Sequence, residues 1–402
     1  MNEGVVKTGV IWSDQYLDYN LGEEHPMNPR RLQIPYQLFK SLDLFESPDI
    51  QILTPSPATD SDILLYHSLP YLKAMKALSE AGGGTRLRMG LGTGDCPVFP
   101  EMHEAARLVV GGALEGVKRI QNGDVQQAFA ILGGLHHAFS ERAAGFCYYN
   151  DVVIAIKYLQ QKYGMKRILY LDTDVHHGDG VLSAFYGDKK VLTISIHESG
   201  RYLFPGTGHH DEIGENEGVG YTINIPFFPG TWDDLYIMTF ENIVPCIWEA
   251  FDPEFVIWQC GADGHYKDFL GHLALTTKVY SYLGKRIAEL SQQGSTRGRL
   301  LLLGGGGYNP DSVARVWLAI LASITSIEIP KTSPPEWIDF CLQEFNFNVS
   351  SHLEDPKLDW KKLDGYPFIE DEILEATYES IRYLKKVLSN IPDWKSCEKF
   401  FQ

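Results

Sequence analysis

The 402-residue chain is 44% hydrophobic and 22% charged, a balance that fits a globular enzyme with a substantial core and excludes a disordered or fibrous protein. Its formal net charge of −17 disfavours general nucleic-acid backbone binding and suits a cationic substrate. The six cysteines are scattered without a C-x-x-C pair, which predicts neither a disulfide framework nor a structural zinc module and fits a reducing cytoplasm.

In chain order, the opening Met1-Asn2-Glu3-Gly4 lacks a secretory pattern, and no apolar run is long enough to span a bilayer, so no membrane partner is expected. Short β-branched or apolar runs then recur at Val10 to Trp12, Ile50 to Leu53, Ala128 to Leu132, Ile168 to Leu171, Val191 to Ile196, Tyr221 to Ile225, Phe255 to Cys260 and Leu300 to Leu303. Helix-length amphipathic segments lie between them, including Glu104 to Gln121, Leu235 to Ala250 and Lys278 to Gln292. That alternation predicts one α/β domain on a mostly parallel sheet. Ser-Pro-Pro at 333 to 335 marks a break, and Ile369 to Leu388 reads as a terminal helix packed on the main body.

The chemistry concentrates where these runs end. Asp172-Thr-Asp-Val-His-His-Gly-Asp-Gly180 follows the strand Ile168 to Leu171 and brings three carboxylates and two imidazoles to the carboxyl end of a buried strand, where open parallel sheets place their ligand crevices. Burying that much charge calls for a pairing cation. Gly133-Gly134-Leu135-His136-His137, Gly261-Ala262-Asp263 and Gly304 to Tyr308 follow three more strands. Asp174 and His176, two apart on an extended backbone, can point to one side. With Asp263 they make three ligands and leave a position open, as a catalytic zinc requires. Alone, Asp263 would read as a turn or capping carboxylate, a lone histidine as an ordinary hydrogen-bonded one, and Tyr308 as an exposed loop residue. Together, His136 and His137 are candidate proton-transfer groups, Asp172 and Asp179 their orienting carboxylates, and Tyr308 a phenol for a substrate carbonyl. The glycine-rich stretches Gly90 to Gly94 and Gly304 to Gly307 lack G-K-[ST] and the dinucleotide context, so no nucleotide is implied.

These blocks, with H-P-M-N-P-R-R at 25 to 31, G-D-C-P at 94 to 97, G-F-C-Y-Y-N-D at 145 to 151, F-P-G-T-G at 204 to 208 and Q-C-G-A-D at 259 to 263, closely resemble the metal-dependent histone deacetylase family, especially its prokaryotic acetoin-utilisation branch. The resemblance spans roughly residues 8 to 345 in family order and is weak from Asn346 onward. It implies the arginase-like α/β fold, an eight-stranded parallel sheet with helices on both faces. It also implies a single deacetylase domain over 1–402, with a motif-bearing core at 8–345 and a C-terminal helical extension at about 346–402 packed on it.

By position, the resemblance assigns Asp174, His176 and Asp263 to zinc, or ferrous iron in the cell. His137, oriented by Asp179, becomes the general acid and base, His136 with Asp172 its electrostatic partner, and Tyr308 the carbonyl-polarising group. Phe146, after Gly145, and Phe204 match the aromatic walls of a narrow acyl-lysine tunnel. Asp95 matches a rim carboxylate gripping substrate N–H groups, and Arg31 the arginine of an internal acetate cavity. A structural potassium ion is implied near Asp172, Asp174, His176, Ser195 and Ile196, with Phe185, Asp188, Val191 and Tyr221 included among the monovalent-cation residues. For Phe146 and Phe204 the alternative is plain core packing, and for Asp95 and Arg31 a structural salt bridge or cap.

The reaction implied is zinc-dependent hydrolysis of N6-acetyl-lysine to lysine and acetate. Acetyl-CoA synthetase is the protein substrate suggested by the branch, ahead of histones, and homo-oligomerisation is left open. Leu135 departs from the tryptophan common in eukaryotic class I enzymes, and Gly264-His265-Tyr266-Lys267 from their following loop. Leu270 stands where polyamine-specific relatives place a glutamate. An acetylpolyamine amidohydrolase is therefore the second reading. A binuclear manganese ureohydrolase is disfavoured by Gly178, where its motif needs a carboxylate. A catalytically inactive acetyl-lysine binding scaffold ranks last, because every chemical group is retained.

Overall fold

The eight apolar runs form eight parallel strands in one sheet: β1 (Thr8–Ile11), β2 (Ile50–Leu53), β3 (Gln127–Ala130), β4 (Ile168–Asp172), β5 (Val191–Glu198), β6 (Thr222–Phe227), β7 (Phe255–Gln259) and β8 (Leu300–Leu303). This computed structural model describes residues 7–363 and 369–397; the opening Met1-Asn2-Glu3-Gly4 lies outside the described residues. The strand order is β2-β1-β3-β8-β7-β4-β5-β6. After β3 the chain crosses to β4 and runs outward to β6, and β7 and β8 then return to fill the gap. Consequently β3, β8, β7 and β4, the four strands with chemical groups after them, are neighbours.

All but the edge strand β2 are buried along their length, because helices cover both faces. The alternation of side chains assigns those faces. A Cβ on Gly116 of the helix Met102–Asn122 would lie 2.6 Å from Leu301 and 3.4 Å from Ala128, so that helix covers the Ala128–Leu301 face. Phe129 points the other way and meets Trp317, of the helix Pro310–Thr325, edge to face at 6.0 Å. The predicted amphipathic segments appear as Met102–Asn122, Asp233–Phe251 and Thr277–Ser291. Among the described residues, no helix is long and apolar enough to cross a membrane.

The Ser-Pro-Pro break opens a helix, Pro335–Phe345, and the terminal helix runs Glu370–Leu388. Beyond it Trp394 is buried and donates from Nε1 to the Gly220 carbonyl at 3.1 Å, and the Tyr221 hydroxyl donates to Asp393. Cys246 and Cys397 are joined by a disulfide, which corrects the expectation of no disulfide. The two lie 151 residues apart and meet only because the C-terminal segment docks on the helix Asp233–Phe251, a proximity that spacing along the chain cannot announce.

Candidate active site

The histidine pair hangs on the start of the next helix. The Asp151 carboxylate accepts the backbone N–H groups of Gly134 (2.9 Å) and Leu135 (2.8 Å), and Asn150 Nδ2 donates to the carbonyls of His136 (3.2 Å) and Ala138 (2.9 Å). Both imidazoles are thereby fixed beyond the end of β3. Asp172, the last residue of β4, accepts from His136 Nδ1 at 2.8 Å and from the Tyr170 hydroxyl at 2.6 Å. His137 Nδ1 donates to Asp179 at 2.8 Å. The two Nε2 atoms are left facing each other at 3.0 Å. Burial alone would lower both imidazoles. For His136 the charges of Asp172 and Asp174 override it and raise the group to about 9, whereas burial and the neighbouring His136 lower His137 to about 4. The two rings are thereby driven apart in basicity, His136 the more basic and His137 the less.

Asp174, His176 and Asp263 converge as the sequence predicted. Each offers one donor atom, and the three lie within 4.8 Å of one another. His176 Nδ1 is 3.0 Å from Asp263 Oδ2 and 3.2 Å from Asp174 Oδ1. The carboxylates are held from behind. Gln259 Nε2 (2.9 Å) and Gly306 N–H (2.7 Å) donate to Asp174 Oδ2, and Val175 N–H (2.9 Å) donates to Asp263 Oδ1. All three residues are buried, and that burial together with the Asp174 charge pushes the Asp263 carboxyl above the usual carboxylate range. Two buried, mutually repelling carboxylates beside an imidazole form a donor set that suits a divalent cation. A Cβ on Gly306 would sit 2.0 Å from Asp263 Oδ2, so the loop after β8 can pass this cluster only as glycine.

Aromatic rings stand beside the cluster, Phe204 and Tyr308 each 6.4 Å from the His176 ring. Phe204 packs 5.0 Å from the His137 ring, and Phe146 meets Tyr308 edge to face at 5.6 Å. Phe204 is 44% exposed, which rules out the core alternative for it. Phe146 is half-buried, and its carbonyl accepts from the Tyr19 hydroxyl at 2.7 Å. Gly145 has φ of +49°, and a Cβ there would lie 2.4 Å from His137, so this wall needs glycine next to it. Tyr308 is buried rather than an exposed loop residue, and burial keeps its phenol protonated. Arg31 is buried and donates to the carbonyls of Gly305 (2.6 Å) and Gly307 (2.9 Å), with its guanidinium 5.8 Å from the Tyr308 ring.

The remaining expected residues spread further. Asp95 is exposed beside His25, whose ring lies 4.6 Å from Phe146. Leu270 is half-buried, with its N–H on Asp268 at 3.0 Å. Asp172 and Ser195 are paired in register across β4 and β5, and Ile196 follows. Phe185, Asp188, Val191 and Tyr221 gather at the opposite end of β5, around Val191 N–H to Asp188 carbonyl (3.1 Å) and Thr193 N–H to Tyr221 carbonyl (2.9 Å). The expected monovalent-cation residues thus fall in two neighbourhoods.

Sequence reasoning passed over several residues of this site. Asp151 and Gln259 are buried polar supports, and a glutamine ending the apolar strand Phe255–Gln259 was the available signal. Asp268, also buried, accepts the Tyr308 N–H at 2.6 Å. Phe269 is 60% exposed with its ring 6.4 Å from Tyr308, an exposed apolar side chain next to Leu270.

A parallel α/β sheet with a buried two-aspartate, one-histidine cluster at its central strand ends defines a metallohydrolase architecture. The histone deacetylase domain model matches residues 25–324, and the chain belongs to the histone deacetylase family. The acetoin utilization protein AcuC of Bacillus subtilis (strain 168) is 39% identical over 92% of this chain and 95% of its own length. AcuC of Staphylococcus aureus (strain MRSA252) is 38% identical over 98% of each. Among solved structures, an HDAC homolog complexed with SAHA superposes with a TM-score of 0.81 at 29% identity, covering 93% of this chain and all (100%) of that one. An HDAC homolog from Aquifex aeolicus gives 0.80 at the same 29%. The protein is a metal-dependent deacetylase, a hydrolase acting on an acetylated substrate.

Proposed function

We propose that the chain hydrolyses N6-acetyl-lysine in a protein to lysine and acetate, with zinc, or ferrous iron in the cell, held by Asp174, His176 and Asp263. The observation that carries this reading is the convergence of three kinds of group at one point: the buried triad, the His136–His137 pair and the Tyr308 phenol. The cation, when bound, supplies an activated water and polarises the acyl oxygen.

The protein's own residues do the rest. Phe146 and Phe204 flank a slender aliphatic chain and exclude water from its sides. The protonated Tyr308 donates to the acyl oxygen as negative charge develops there. His137 Nε2 takes a proton from the attacking water and returns it to the leaving amine, while Asp179 holds the ring by Nδ1. The more basic His136, backed by Asp172, stabilises the oxyanion electrostatically. Arg31, buried behind the tyrosine ring with its guanidinium 5.8 Å away, is the group that would meet the released acetate.

Substrate class turns on the mouth. Phe269 and Leu270 give it an apolar side where a polyamine-selecting enzyme would need a carboxylate, which favours acyl-lysine on a polypeptide gripped by Asp95. Relatives named for acetoin utilization favour acetyl-CoA synthetase over histones as the target. A structural potassium ion near Asp172, Asp174, His176, Ser195 and Ile196, and a cytoplasmic location, belong to the same reading. Metal-reconstituted hydrolysis of an acetyl-lysine peptide beside acetylputrescine, with and without a hydroxamate, tests it. Chelator-sensitive peptide turnover is expected, and turnover of acetylputrescine alone would transfer the protein to the polyamine class.

A further inference from the structure

Tyr308 lies between a run of four glycines and the first turn of the helix Pro310–Thr325. Gly305 and Gly307 have φ of +68° and +120°, so the segment before the tyrosine has little backbone preference with which to fix it. Arg31 holds the carbonyl side of the Gly307–Tyr308 peptide at 2.9 Å, and the N–H side is held from a different loop. Asp268, buried, accepts with Oδ2 the N–H groups of both Tyr308 (2.6 Å) and Asn309 (3.2 Å), and Asn309 Nδ2 donates to the Lys267 carbonyl at 3.1 Å.

The turn carrying Asp268 is anchored in its own right. Its His265 is fully buried; Nδ1 accepts the Lys267 N–H at 3.2 Å, so Nε2 carries the proton and donates to Asp355 at 2.7 Å. Asp355 also accepts from Arg315 Nη1 at 2.6 Å and from the Thr277 N–H at 3.0 Å. This aspartate lies beyond residue 324, where the family-domain match ends. The His265–Asp355–Arg315 stretch is buried and paired at each step, and such a network is rigid.

We propose that the turn from Asp263 to Asp268 is a positioning device for Tyr308, in which Asp268 holds the tyrosine's backbone and Asp355 holds the turn through His265. The proposal rests on the reading of Tyr308 as the donor to the acyl oxygen. Asp268 and Asp355 act through Tyr308 and touch no reacting atom. A phenol at the end of a long side chain magnifies any rotation of its backbone, and a misplacement of about 1 Å costs on the order of a hundredfold in rate.

The test is a double-mutant cycle on the metal-reconstituted enzyme with an acetyl-lysine peptide, using Asp268→Asn, Tyr308→Phe and the pair together. Asp268→Asn is expected to lower kcat by about tenfold to a hundredfold with KM changed less than about twofold. Metal content should be unchanged, and amide hydrogen exchange across residues 304–309 faster. In the Tyr308→Phe background the same change should cost less than about twofold, because the group it positions is gone. Unchanged kcat and exchange for Asp268→Asn, or losses that multiply in the double variant, would overturn the proposal. Near-normal turnover of Tyr308→Phe alone would instead overturn the reading of the tyrosine, and the exchange rates would still judge whether Asp268 holds it. Should Asp268→Asn not fold, Asp355→Asn runs the same cycle: a kcat loss absorbed by Tyr308→Phe supports the device, and a multiplicative or absent loss defeats it.

Discussion

The Nε2 atoms of His136 and His137 face each other at 3.0 Å, each ring backed at Nδ1 by its own carboxylate at 2.8 Å. Two equivalent-looking histidines are driven apart in basicity, His136 up to about 9 and His137 down to about 4. The less basic of the two, His137, is the one suited to take up a proton during the reaction. His137→Ala should therefore lose about 10²- to 10⁴-fold in kcat, the range of a positioned acid-base group, with metal content intact by elemental analysis. Asp179→Asn, which leaves the ring but weakens its support, should lose less.

Tyr308 is the phenol of the candidate site that points among Phe146, Phe269 and His176. Tyr308→Phe should keep the metal and lose at least about a hundredfold in turnover, the scale of removing one oxyanion donor. Near-normal kcat in a metal-replete variant would sink that role.

The Asp174 carboxylate accepts from Gln259 and Gly306 while one oxygen faces His176. Asp174→Ala should empty the cluster of metal, and a chelator should abolish turnover of the parent enzyme until zinc is restored. Full zinc occupancy in the variant, read by elemental analysis, would contradict the ligand assignment.

His67 gives an acid-stability prediction away from the metal cluster. It is 2% exposed and lowered to about 3 by burial; its Nε2 accepts the Asn150 N–H at 3.0 Å and so must stay unprotonated. The unfolded chain protonates this histidine near 6.5. Below that pH the unfolded state binds the extra proton and the folded state does not, so stability falls as pH is lowered from about 6.5 toward 3. Melting temperature should drop across this window, and a His67→Gln variant should show a shallower dependence. An equal slope in the two proteins would exclude His67 as a contributor.

The Cys246–Cys397 disulfide closes a long loop, and Cys96, Cys147, Cys260 and Cys341 are free and buried. Thiol titration of the denatured, unreduced protein should find those four, with two more appearing after reduction. Loss of the bond should destabilise the chain by no more than about 5 kcal/mol, the loop-entropy ceiling for such a closure, measurable as a lower melting temperature with reductant or in Cys246→Ser.

Much of the fold was legible because burial on both faces writes parallel strands as uninterrupted apolar runs. All eight were marked within a few residues. The triad was legible too: Asp174 and His176 share one segment, and Asp263 follows another strand, so a rule about strand ends located them. Asp268, Gln259 and Asp151 were not, since a carboxylate or amide that supports a neighbour has no spacing signature of its own. Its partner lies on another strand or loop, as Asp268 lies 40 residues from the Tyr308 it holds.

The sequence by itself determined the parallel sheet, the chemical groups at its strand ends and the family they resemble, because periodicity and motif spacing are local properties of a chain. Tertiary structure alone decided which histidine is the more basic, how Tyr308 is held, the separation of the expected cation residues into two places, and the union of Cys246 with Cys397. Each of these depends on burial and on contacts between segments far apart in sequence, and such contacts exist only after the chain has closed.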